Sequence, residues 1–308
     1  MTMITGASAQ VSAETTTQPT TQPSDAEVVE LQVGENIKIT RGEIDRQLSI
    51  LAANGRFVPR KAILDNVVQE ALLSEYLQEQ PEPTEELAAL KEQMRSQLAA
   101  EGKDLDTVMA ERGWTYQRLS QELKKQKVVS EVMAKEKIEA YIEAHPSYFD
   151  GTEVTASHIL IMEDFYAPES EQTAAKEKLE GIIKDIKEGK TTFAEAAGKY
   201  SACPSSAQGG DLGAFTFDRM YPSFSEAAFD TKVGEMSGIV LTPFGYHVIL
   251  VTDRKDGSGE PKLSAPSVAS KVLQTKKTDE IKAAMIKKHP VTVNSRPESP
   301  QTQPADQE

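Results

Sequence analysis

The stretch YSACPSSAQGGDLGAF, residues 200–215, contains the only cysteine of a 308-residue chain. Cys203 precedes a proline, and a Gly209-Gly210-Asp211 turn follows a few residues later. A single thiol in such a position can be a nucleophile, a metal ligand, a redox switch or a group that takes no part in covalent chemistry. The rest of the sequence decides among these roles.

The bulk composition excludes several classes of protein. The formal net charge is −14 and no long Lys/Arg run occurs, so no nucleic-acid partner is expected. No apolar run is long enough to cross a bilayer, so no transmembrane segment is expected. A lone cysteine cannot form an internal disulfide. The histidines lack the close spacing of zinc ligands, so no metal site is expected: His145, His158, His247 and His289.

Both ends of the chain are predicted to be disordered tails. Residues 1–26 and 295–308 are rich in Thr, Gln and Pro, a composition that does not support a packed core. The opening MTMIT looks like the start of β-galactosidase as left by an expression vector. Ala7-Ser8-Ala9 follows it with the small-x-small form of a signal-peptidase site. We therefore expect that a native export signal has been removed and replaced.

Residues 27–151 are predicted to form the N-terminal part of a helical domain. Two short β-prone runs within 28–40 flank a Gly-containing turn and indicate a hairpin. Several segments with helical periodicity follow it. One of these runs from 115 to 137, and Val129 and Met133 are expected to point inward from it.

After Gly151 the sequence changes to alternating strands and helices, which predicts a compact α+β unit over 152–254. A Gly-rich linker separates this unit from residues 264–294, which read as a polar helix and a short strand, VTVN. Because so polar a helix would be marginal alone, we expect it to pack on the N-terminal helices. Its strand is expected to join the early hairpin. The α+β unit would then be inserted into a domain built from both chain ends.

Four stretches occur in this order inside the α+β unit: ASHILI (156–161), YSACPSSAQGGDLGAF (200–215), MYPSFSEAAF (220–229) and LTPFGYHVI (241–249). Together they closely resemble the parvulin family of peptidyl-prolyl cis/trans isomerases. The flanking segments resemble the helical chaperone domain of exported, SurA- and PrsA-like foldases. The resemblance implies an α+β fold, with a four-stranded, mainly antiparallel sheet and surrounding helices, inserted into a mostly α-helical chaperone domain.

The resemblance also implies the site residues and requires no cofactor. The family's paired histidines, its active-site cysteine or aspartate, and its nearby hydroxyl correspond to His158, His247, Cys203 and Thr242. The wall of its proline pocket corresponds to Leu212, Met220 and Phe224. Without the resemblance, these three apolar residues would be taken as ordinary core. Tyr221 is bulkier than the small aliphatic residue expected at its position, which bears on substrate preference.

The chemistry of the implied reaction suits these residue types. Rotation about a peptide bond has a barrier of about 18–20 kcal/mol, and no bond has to break. An apolar cleft disfavours the polar planar amide, while a held proline ring lets the carbonyl side turn. We therefore expect a buried, neutral histidine pair that shapes the site rather than a general base. Cys203 is expected to act through its local field, since no protease signature and no second cysteine accompanies it.

The substrate class follows from one acidic stretch. Residues 162–171, MEDFYAPESE, are acidic where phosphate-directed parvulins carry a basic cluster, so unphosphorylated X–Pro segments are expected. One interpretation is a foldase of the bacterial periplasm or cell surface that acts on unfolded or nascent exported polypeptides. The other is a holdase-type chaperone whose parvulin domain mainly binds peptide. A scaffold role and a homodimer stay open.

Overall fold

The computed structural model describes residues 29–53 and 58–294, so both predicted tails lie outside the described residues. The strands are β1 (Val29–Val33), β2 (Ile37–Thr40), β3 (Glu153–Met162), β4 (Asp211–Thr216), β5 (Val240–Thr242), β6 (Gly245–Lys255) and β7 (Val291–Val293). The helices are α1 (Arg41–Ala53), α2 (Arg60–Glu79), α3 (Thr84–Ala100), α4 (Leu105–Glu111), α5 (Tyr116–Val132), α6 (Lys135–Ala144), α7 (Pro146–Phe149), α8 (Glu169–Lys187), α9 (Phe193–Tyr200), α10 (Pro222–Asp230) and α11 (Ala265–Lys288).

A four-stranded antiparallel sheet forms the centre of the second half of the chain, in the order β4-β3-β6-β5. Side chains alternate across a strand, so the two faces of β3 and β6 enter two different cores. Val154, Ala156 and Ile249 belong to the core shared with α10, whereas Ile159 and Val248 belong to the core shared with α8 and α9. The predicted α+β class is confirmed.

A smaller sheet organises the helical part of the molecule. The β1–β2 hairpin is joined by β7, giving the order β2-β1-β7, so the predicted C-terminal strand does pair with the early hairpin. Leu31 of β1, Leu72 of α2 and Met285 of α11 are buried in one cluster there. The buried Glu30 carboxylate next to this cluster is neutralised by the guanidinium of Arg60.

One helix prediction was wrong. The periodicity predicts a single helix from 115 to 137, but α5 ends at Val132 and α6 begins at Lys135. The break turns α6 so that Tyr141 reaches the core under the larger sheet. Val129 and Met133, expected to be inward, are each 40% exposed. No Gly or Pro marks this break, because tertiary packing causes it.

The C-terminal helix α11 belongs to two cores. Ala265, Ala269 and Val272 in its first half are buried with the residues of the larger sheet, while Ile281 and Met285 in its second half are buried with the helical part. The division into a 152–254 unit and a two-ended helical domain therefore stays a prediction. Among the described residues, no helix is long and apolar enough to cross a membrane.

Candidate active site

Two buried histidines lie side by side at the middle of the larger sheet. His158 is on β3 and His247 on β6, and the register places His247 opposite Leu160, two residues beyond His158. The two side chains therefore share one face on a diagonal. Their Nδ1 atoms are 3.2 Å apart, and the rings stack with centroids 5.4 Å apart.

Thr242 completes a short hydrogen-bond chain with the pair. Its Oγ1 lies 2.8 Å from His247 Nε2 and accepts a hydrogen bond from the Phe244 N–H at 3.1 Å. The hydroxyl proton is then best donated to His247 Nε2, since a hydroxyl has one proton and two acceptor positions. In this arrangement His247 Nδ1–H donates to His158 Nδ1. His158 Nε2 is buried and has no hydrogen-bond partner in the described part of the chain.

Both imidazoles are held neutral. Burial lowers the pKa of His158 to about 4. Burial, with a smaller contribution from the charge of His158, lowers the pKa of His247 to about 3. A low-dielectric environment disfavours the charged form of a base, which is the physical cause. The pair therefore carries no charge at neutral pH.

The predicted proline-pocket residues lie in one cluster beside the histidines. Phe224 of α10 is buried with its ring edge-on to both imidazoles, at centroid distances of 5.6 Å from His158 and 5.4 Å from His247. Leu212 of β4 and Met220 are half-buried and pack against the same cluster. The fold thus brings together an apolar wall and a neutral polar pair.

The loop that carries Cys203 is attached to β3 at two points. The Ala202 N–H donates to the Leu160 carbonyl at 2.9 Å, and the His158 N–H donates to the Gly210 carbonyl at 2.9 Å. Cys203 is half-buried on this loop, near the strand that carries His158. Gly210 has a φ of +84°, and a Cβ there would overlap the His158 carbonyl oxygen. Only glycine suits this close approach.

The acidic segment between β3 and α8 contacts the helical part of the molecule. Asp164 pairs with Lys61 of α2 at 2.5 Å. Tyr166 is buried in the cluster of the helical part, and Phe165 packs against that cluster. The segment therefore joins the two halves of the molecule, and one of its acidic charges is already paired.

Sequence reasoning missed three supporting contacts. The Leu160 N–H donates to Ser201 Oγ at 3.1 Å. The Gly209-Gly210 turn was predicted, but its contact with His158 was not. Tyr221 donates from its hydroxyl to Asp279 Oδ2 at 2.6 Å, across 58 residues. The unusual size of Tyr221 was the only sign of this contact in the sequence.

Comparison with known proteins identifies the class of this domain. Residues 141–255 match the family model described as the PPIC-type PPIASE domain. The chain therefore contains a parvulin-type peptidyl-prolyl isomerase domain, and the predicted resemblance is confirmed. In residues 29–53 and 58–294, no group of three His, Cys, Asp or Glu side chains could hold a metal ion.

The relatives combine such a domain with further sequence. The chain is 36% identical over 211 residues to the foldase protein PrsA of Halalkalibacterium halodurans, which covers 65% of this chain and 60% of that protein. It is 45% identical over 106 residues to the chaperone SurA of Shigella dysenteriae, covering 34% of this chain and 24% of SurA. The crystal structure of PrsA from Bacillus subtilis matches at 26% identity over 86% of this chain and 93% of that chain, with a TM-score of 0.29. So low a score supports no argument about the fold.

Proposed function

We propose that this chain is a foldase that catalyses cis/trans isomerisation of unphosphorylated X–Pro bonds in unfolded polypeptides. The observation that carries the proposal is the neutral pair of His158 and His247, with the ring of Phe224 packed against both imidazoles. These residues stand at the positions that the parvulin resemblance assigns to the site. The likeness to PrsA and SurA supports the foldase role of the whole chain.

The proposed mechanism needs no covalent step. A planar amide resists rotation because its C–N bond has partial double-bond character. Leu212, Met220 and Phe224 would bind the proline ring in apolar surroundings, while the carbonyl side of the bond turns. Preferential binding of the twisted amide lowers the barrier, and each tenfold acceleration requires about 1.4 kcal/mol of it. A neutral histidine pair suits this reaction, since no proton is transferred.

The role proposed for Cys203 is electrostatic. Its loop is hydrogen-bonded to the strand of His158, which supports a thiol beside the rotating carbonyl. The sequence holds no second cysteine with which it could form a disulfide. Cys203 would then act through its local dipole and would form no bond with substrate.

The preference for unphosphorylated substrates rests on the segment between β3 and α8. It contains no Lys or Arg from 162 to 171, and Asp164 already pairs with Lys61. Its aromatic residues pack on the helical part, which holds it against that part. A phosphate group would meet only acidic side chains of this segment, and like charges repel.

The primary test is isomerase activity on unphosphorylated X–Pro peptides and their phosphorylated Ser–Pro counterparts. Met220→Ala should lower kcat/KM by about 10- to 100-fold, because a methionine side chain contributes about 1.5–3 kcal/mol when buried. Met162→Ala is the matched control, since Met162 is 57% exposed at the end of β3. A folded wild-type chain without activity would refute the proposed reaction. Equal rates on phosphorylated peptides would refute the proposed preference.

The proposed location is outside the cytoplasm, in the bacterial periplasm or at the cell surface. The resemblance of the helical segments to exported foldases supports it. Fractionation of the native host with an antibody to the chain tests it directly. Recovery from the cytosol would contradict this assignment.

A holdase function is the second candidate, favoured by an apolar groove between α2, α5 and α11. Its apolar lining residues are Leu73, Val128, Val129, Val132 and Ile281. Such a groove suits the apolar side chains of unfolded clients. Deletion of 152–254 is not a clean test, because α11 packs into the core of that segment.

Point variants separate the two functions. If the chain is chiefly a holdase, Met220→Ala should suppress client aggregation as well as the wild type does, whereas Val129→Lys should suppress it less. The opposite pattern would assign client binding to the isomerase site.

A further inference from the structure

The proline-pocket wall is attached to the C-terminal helix at defined points. Met220 and Tyr221 immediately precede α10, and Phe224 lies in its first turn. The Tyr221 hydroxyl donates to Asp279 Oδ2 of α11 at 2.6 Å. Further along α10, Glu226 accepts from Lys276 Nζ of α11 at 2.6 Å. The start of α10 therefore contacts a helix that lies outside the segment matched to the isomerase family.

Asp279 occupies the part of α11 between its two buried halves. Val272 packs on one side with the larger sheet, and Ile281 packs on the other with the helical part. Asp279 also accepts a hydrogen bond from Lys282 Nζ at 3.2 Å, which holds its carboxylate on this turn of the helix. Because both halves of α11 are anchored, Asp279 is a fixed point for α10.

Tyr221 uses its hydroxyl in this contact. Its side chain is half-buried against the same cluster as Phe224. Burial, and then the hydrogen bond to Asp279, raise the pKa of the phenol, so it stays protonated and donates. The hydroxyl is therefore committed to α11 rather than to a bound peptide. Any effect of this hydroxyl on catalysis passes through the position of α10.

We propose that Tyr221 is a positioning residue for the isomerase reaction. Its hydrogen bond to Asp279 holds the start of α10 against α11 and so sets the positions of Met220 and Phe224 around the proline ring. The inference rests on the proposed function. It implies that the isomerase pocket has its full affinity only when the C-terminal helix is in place.

The test compares Tyr221→Phe, Asp279→Ala and Asp279→Asn in the full chain, with kcat, KM and the peptide dissociation constant measured for each. Tyr221→Phe removes only the hydroxyl, and KM and the dissociation constant should rise about 3- to 10-fold with kcat nearly unchanged. Asp279→Ala should have the same effect, and the double variant should be no worse. Asp279→Asn keeps an acceptor oxygen and should restore values close to the wild type.

Tyr76→Phe is the matched control, because it removes a phenol hydroxyl from the helical part, where no partner contacts α10. Unchanged KM and peptide affinity in Tyr221→Phe would overturn the inference. A rise in Tyr221→Phe without a rise in Asp279→Ala would also overturn it, since the hydroxyl would then act on the substrate directly. If the wild type binds peptide but lacks isomerase activity, the proposed reaction fails while the affinity comparison still tests the positioning role.

Discussion

Acidification from pH 7 to pH 5 should destabilise the folded chain by about 4 kcal/mol through its histidine pair. Burial lowers the pKa of His158 to about 4 and that of His247 to about 3, whereas an unfolded histidine titrates near 6.5. At pH 5 the unfolded chain binds two protons that the native chain does not. The stability contribution is therefore complete above pH 6.5 and is lost as the pH falls towards the native values.

The magnitude follows from the titration of the unfolded chain alone. Protonating one unfolded imidazole stabilises the unfolded state by about 1.9 kcal/mol between pH 7 and pH 5. The only requirement on the native state is that both pKa values lie below 5. The expected loss is therefore independent of how the two imidazoles share their mutual interaction.

Urea unfolding at pH 7, 6 and 5 measures this loss. Trp114 lies between α4 and α5 and reports on the helical part, so near-ultraviolet circular dichroism of the tyrosines is the better probe for the larger sheet. A His158→Leu/His247→Leu variant supplies the control, and its stability should change by less than about 1 kcal/mol over the same range. If the wild type loses no more than this variant, the two imidazoles are not buried in neutral form and the reasoning fails.

Three substitutions probe other contacts. Gly210→Ala should cost about 2–4 kcal/mol of stability, because a Cβ would overlap the backbone of β3, whereas Gly213→Ala, also at positive φ but in open space, should cost about 1 kcal/mol; equal losses in urea unfolding would contradict the overlap. Arg60→Met should cost about 3 kcal/mol by leaving a buried carboxylate unpaired, while Lys190→Met, in an exposed pair, should leave the urea midpoint nearly unchanged. Cys203→Asp should keep kcat/KM within about tenfold, and complete loss of activity would favour a covalent role.

The candidate site was largely predictable because its residues lie in short sequence motifs. His158 and His247 stand on strands whose alternation indicates which side chains share a face. The resemblance to parvulins then assigned partners that no spacing in the sequence could supply. The roles of Leu212, Met220 and Cys203 stay predictions, although their positions beside the pair agree with them.

Errors arose where no local residue marked the structural change. The break between α5 and α6 has neither Gly nor Pro, so periodicity predicted a single helix through it. Met133 at the break was expected to be inward, yet it lies at the surface, where its sulfur accepts a hydrogen bond from Ser270 of α11 at 2.7 Å. Packing against α11 decides this break, and helix propensity alone is a weak guide to such packing.

The amino-acid sequence by itself determined the α+β class, the strands that carry the histidines and the parvulin type of the domain. These properties depend on local periodicity, turn residues and motifs, which are written along the chain. Only the tertiary structure decided that α11 enters two cores and that Asp279 meets Tyr221. Both contacts join residues far apart in sequence, and the free energy that selects them comes from burying apolar surface of several elements together.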